Sequence, residues 1–150
     1  MKTVAWTGLL TGIAALVVAF FLLLAQVASA AEKLPACPAL GSPHSAAMDA
    51  EAQGHAEFMA QSMTQGHQGF SARVGRLREV ITASGYSEIC AETWAWQSGA
   101  SKDERWAEYV KCWKQSPGHW RTARVAHRFI GTGEAQGRNG TWYGVILAAD

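Results

Sequence analysis

"RFIGTGEAQGRNGTWYGVILAA", residues 128–149, is the stretch that decides the fold class. Two apolar runs, "RFIGTGEA" and "TWYGVILAA", flank "QGRNG". Asn139 and Gly140 both tolerate positive φ, so the pair reads as the turn of an antiparallel hairpin. Gly131-Thr132-Gly133 is too short to cradle a phosphate. It reads as a strand position where small residues are needed.

The segments before this hairpin carry a helical period. Trp106, Tyr109, Val110 and Trp113 recur at helical spacing behind Ser101-x-x-Glu104, a capping box in which hydroxyl and carboxylate satisfy each other's end of the first turn. Pro117-Gly118 lies beyond the end of that helix. Met48, Ala52, His55, Met59 and Met63, with Phe58 beside them, form a second apolar stripe over about 46–64, stopped by Gly66. Val74, Leu77, Val80 and Ile81 fit a short helix ended by Gly85. "EICAETWAW" (88–96) alternates weakly and reads as extended or as a turn, and "AEKLPACPALGSPH" (31–44) as an irregular lead-in. Helices first and a hairpin last favour α+β layers over a doubly wound sheet.

At 150 residues the chain holds one domain at most, and residues 1–30 stand outside it. Lys2 is the sole charge before Glu32, Val4 to Ala25 is almost wholly apolar, and Ala28-Ser29-Ala30 is a small-x-small cleavage pattern. These features read as a secretory signal peptide; the apolar run also has the length of a retained membrane anchor. Either reading exports the rest to the periplasm, cell envelope or exterior. The domain then spans 46–150, after a lead-in over 31–45.

Beyond Ala30 the chain carries twelve basic and twelve acidic residues, so its net charge is zero. That excludes a partner held by bulk charge, nucleic acid included, and leaves the membrane to the N-terminal segment if it is uncleaved. An acid-free run, Lys111, Lys114, Arg121, Arg124 and Arg128, reads as a solvated helix face and loop. Cys37, Cys90 and Cys112 in an exported chain predict one disulfide, its pairing open, and one remaining thiol. No C-x-x-C pair exists to build a cysteine zinc cluster.

Five histidines remain for chemistry. His44 reads as surface, His55 as a hydrogen-bonded core residue on the first stripe, and His127 as structural. His67 and His119 differ, because each follows a glycine in a turn just past a helix and is free to face a cleft. Two imidazoles and a carboxylate could hold a divalent metal or a water. Nucleophile-elbow, P-loop, H-E-x-x-H and dinucleotide signatures are missing.

"GHQGF", "AETWAW", "WKQSPGHW", "FIGTGEA" and "TWYGVILA", in that order over about 46–148, resemble the bacterial branch of the CAP superfamily: cysteine-rich secretory, antigen five and pathogenesis-related proteins, also called SCP-like extracellular proteins. The resemblance implies a three-layer α-β-α sandwich with a central antiparallel sheet. It implies a surface cleft lined by His67, Glu92 and His119, able to bind a divalent cation such as zinc, with Ser116, Arg121 and Arg124 at its rim. Members also bind sterols, fatty acids or peptides, and proteolysis has been proposed for a few. The chain departs from the pattern at Glu92-Thr93-Trp94, which lacks the family's asparagine. Ser116 stands where a second acid often lies, the family's opening helix with its H-N-x-x-R segment is shortened or absent, and Gly144-Val145-Ile146 lacks the usual Thr-Gln. These losses favour a binding module for a metal, small ligand or peptide over an enzyme. The alternatives are a hydrolase of peptides or envelope material and a lipid or sterol carrier.

Overall fold

A computed structural model describes residues 36–93 and 99–150. The expected signal or anchor segment lies outside them. Among the described residues no helix is long and apolar enough to cross a membrane.

The hairpin forms, but of the expected turn pair only Gly140 takes positive φ, and the connection spans residues 137–141. Strand β2 (Phe129–Gln136) pairs antiparallel with β3 (Trp142–Ala149), and Gly140 takes φ 83° in the turn between them. A third strand, β1 (Tyr86–Thr93), pairs antiparallel with the other side of β3. The sheet order is β1-β3-β2, so the last strand of the chain is the central one. The ambiguous "EICAETWAW" is thus extended as far as Thr93; residues 94–96 lie outside the described part.

Helix α1 (Ala46–Ser62) and helix α2 (Phe70–Arg78) lie on one face of the sheet; α3 (Lys102–Gln115) and α4 (Pro117–Ala123) lie on the other. Strand side chains alternate between the two faces. Tyr143, Val145 and Leu147 meet Met48, Ala52, Ala56 and Met59 of α1 on one side. Ile89, Ala91, Ile146 and Ala148 meet Trp106, Tyr109, Val110 and Trp113 of α3 on the other. Both predicted apolar stripes are therefore core, except for Met63 beyond the helix and the exposed Phe58, and the architecture is the α+β, three-layer α-β-α arrangement.

Three glycines set the layer spacing. A Cβ on Gly131 would stand 2.1 Å from the Met48 carbonyl carbon, and one on Gly133 would stand 2.4 Å from the Gln53 nitrogen, so α1 lies directly on β2. On the opposite face a Cβ on Gly144 would stand 2.5 Å from the Tyr109 ring.

The outer edge of β2 is sealed by side chains of α1 and by the lead-in. Ile130 bonds to Pro43 and Ser45 through its own N–H and carbonyl at 2.8 and 2.9 Å. The Thr132 N–H donates to Asp49 at 2.8 Å, and Gln53 both accepts from the Glu134 N–H at 3.1 Å and donates to its carbonyl at 3.2 Å. The lead-in is therefore part of the packed unit, and its Ala39 is fully buried in a short 3-10 turn, Pro38–Gly41.

Three boundaries differ from the sequence reading. Helix α2 ends at Arg78, so Val80 and Ile81 lie beyond it, well before Gly85, and Val80 is exposed. Helix α1 ends at Ser62 because Met63 adopts the left-handed conformation at φ 52°, ahead of Gly66. Pro117-Gly118 opens α4, with proline in the first turn where no amide hydrogen is needed. The Ser101–Glu104 capping box forms as read.

Candidate metal centre

Three elements converge on Glu88 of β1. Its side chain is 1% exposed, and a carboxylate so buried is costly unless it is paired. Arg73 of α2 supplies the pair. Its Nε donates to Oε2 at 2.9 Å and its Nη2 to Oε1 at 2.7 Å, while Nη1 donates to the Gln68 carbonyl at 2.7 Å. Gly69, at φ 74°, turns the chain between that carbonyl and α2.

His67 lies in the loop between α1 and α2, with Nδ1 3.1 Å from Glu88 Oε1. Its other ring nitrogen, Nε2, stands 3.4 Å from Nε2 of His119 on α4, and the two rings meet at 65°. His67 is 46% exposed, so solvent reaches the pair. Burial, followed by the neighbouring His67, holds the His119 imidazole below its ordinary pKa. A tetrahedral zinc binds imidazole nitrogens at about 2.0–2.1 Å, which places two such nitrogens about 3.3 Å apart. The His67–His119 spacing fits that requirement.

Behind the pair lies a buried group. Each of His55, Glu88 and Cys90 offers one ligand atom, all within 4.8 Å of one another, and the group could hold a metal ion. Its hydrogen bonds are largely satisfied as it stands. His55 Nε2 donates to the Gly66 carbonyl at 2.7 Å and lies 3.6 Å from Glu88 Oε1. Burial lowers the His55 pKa, and its Nδ1 is buried without a partner, as suits a neutral ring. Burial also drives the Cys90 thiol far above the ordinary range, with Glu88 adding to the shift, so thiolate forms there only if an ion displaces the proton. Cys90 Sγ is 3.8 Å from His67 Nδ1.

His67 and His119 meet, but Glu92 does not join them. It is exposed on β1 opposite Tyr143 and, among the described residues, makes no hydrogen bond to either histidine. The reason is strand geometry. Glu88 and Glu92 share a face, yet four residues of strand carry Glu92 about 13 Å further along. The Glu92 charge acts instead on Cys112 and Tyr143, whose pKa values are raised first by burial and then by this charge. Ser116 joins α3 to α4, its N–H donating to Trp113 at 3.1 Å. Arg121 and Arg124 are exposed and form no hydrogen bond to either histidine among the described residues.

All three cysteines are free thiols, so the expected disulfide is not formed here. Cys90 lies in the core on the α1 side of the sheet, whereas Cys37 and Cys112 pack against the opposite core, which separates Cys90 from both. His44 is exposed and bonded to Asp49 at 2.9 Å. His127 is buried, bonded to the Thr122 carbonyl at 2.9 Å and to Asp150. Neither belongs to the cleft.

No family model matches the chain, and no curated protein matches it. Among solved structures, the chain is similar to an outer surface protein from Borrelia burgdorferi. The TM-score is 0.52 at 18% identity, over 74% of this chain and 80% of that one. The likeness is one of fold.

Proposed function

We propose that this chain is an exported, non-enzymatic binding module of the CAP type, whose cleft holds a divalent cation such as zinc between His67 and His119. The observation that carries this reading is the 3.4 Å separation of the two Nε2 atoms at a solvent-reached edge. Water, or an anionic group of a small ligand or peptide, completes the coordination, as in open zinc sites generally. The apolar N-terminal segment supports export, and the name of the structurally similar outer surface protein is in keeping with it. A hydrolytic reading needs a free general base. Glu88 is a poor one, because Arg73 occupies both of its oxygens.

Zinc titration of the metal-free protein by calorimetry tests the proposal. One ion per chain is expected, with binding lost in His67→Ala and His119→Ala and kept in Glu92→Gln and Cys90→Ser. Equal heats for wild type and both histidine variants would end the cleft reading. Loss in Cys90→Ser alone would move the ion to the buried His55–Glu88–Cys90 group.

A further inference from the structure

We infer that Glu88, clamped by Arg73, is a positioning residue that fixes the tautomer of His67 and thereby arms the cleft. The usefulness of that control to a cation rests on the cleft reading above; the control itself does not.

The guanidinium takes both Glu88 oxygens, which holds the carboxylate in one orientation. An ionised carboxylate only accepts hydrogen bonds. His67 Nδ1, 3.1 Å from Oε1, therefore carries the proton and donates. A neutral imidazole protonated on Nδ1 presents a lone pair on Nε2. That is the atom facing His119, so in the metal-free protein the 3.4 Å contact is His119 Nε2–H donating to His67 Nε2. For His119 to offer Nε2 to a cation, its proton moves to Nδ1, while the Arg73–Glu88–His67 part of the network stays in place. Carboxylates that orient ligand histidines from behind also raise the basicity of the ring.

Neither Glu88 nor Arg73 stands out in the sequence, and the arrangement differs from the His-Glu-His trio expected there. Here the carboxylate stands behind His67 and outside the coordination sphere, and Arg73 is needed to hold it.

Long-range proton–nitrogen NMR on the metal-free protein, at mildly alkaline pH, reads the tautomer directly. His67 is expected as Nδ1–H in wild type. In Glu88→Gln the amide can still accept from Arg73 but turns an N–H toward Nδ1, so His67 is expected to switch to Nε2–H. Zinc affinity measured on the same samples is expected to fall about 10–100-fold in the variant. A wild-type His67 found as Nε2–H overturns the inference without any variant. So does an unchanged tautomer, or an unchanged zinc affinity, in Glu88→Gln. A tautomer switch in a protein that binds no zinc even as wild type would uphold the positioning role and remove the cation reading alone.

Discussion

His55 carries a cost that pH exposes. Its ring is buried, its Nε2–H donates to Gly66, and its Nδ1 has no partner, so protonation would leave a buried charge with an unsatisfied donor. Burial is the main cause of its lowered pKa, opposed by the Gly66 bond and the Glu88 charge. A histidine with a depressed folded pKa contributes stability that is fully present above the unfolded value, near 6.5, and is lost as pH falls below it. The urea midpoint is therefore expected to drop between about pH 7 and 5.5, above the range where ordinary carboxylates titrate. In His55→Gln, which keeps a donor for Gly66, that slope flattens; an equal slope in both proteins would show that another group is responsible. His67 and His119 were legible at this scale because each follows a glycine in a segment free of helical or strand pattern. Glu88 was not, because "EICAETWAW" alternates only weakly and reads as extended or as a turn. The usable signal was architectural: in a sheet covered on both faces, an acid inside an apolar strand needs a buried cation, and Arg73 is the arginine placed to supply it.

At the scale of elements, the contact between α1 and β2 depends on the absence of two side chains. Gly133→Ala would drive a methyl group against the helix backbone at Gln53, which has no rotamer with which to yield. A loss of about 1–3 kcal/mol or more is expected, as for other overpacked cores. Gly54, within α1, has open space where its Cβ would be, so Gly54→Ala is expected to add up to about 1 kcal/mol. Urea denaturation of the two variants checks both signs, and a destabilised Gly54→Ala would mean that the Cβ position there is more crowded than the open space described. The hairpin, the capping box and both stripes were readable because each is a local pattern with one period. Helix α4 was hidden by Pro117-Gly118, a pair that marks a turn by composition and a helix start by position. The end of α1 was hidden by Met63, whose left-handed backbone no sequence rule assigns to methionine.

For the whole molecule, the order of layers was legible and the order of strands was not. Helices followed by a hairpin imply layers, but only long-range pairing places β3 at the centre, between β1 and β2. The same long-range contacts finish the sheet at its β2 edge, where Asp49 takes up the outward N–H of Thr132 and Gln53 the N–H and carbonyl of Glu134. The double variant Asp49→Ala, Gln53→Ala is expected to keep the fold and to lose amide-exchange protection at Thr132 and Glu134. Unchanged protection at both would assign it to water or to helix packing instead.

That closed edge limits how anything can be recruited to this protein. Sheets with a bare rim capture extended peptides, and copies of themselves, by lending unpaired backbone to a new strand. Here that rim is already occupied from within. A peptide that binds on this side of the molecule must be recognised through its side chains or its charge, which gives selectivity by composition where backbone capture would accept almost any sequence.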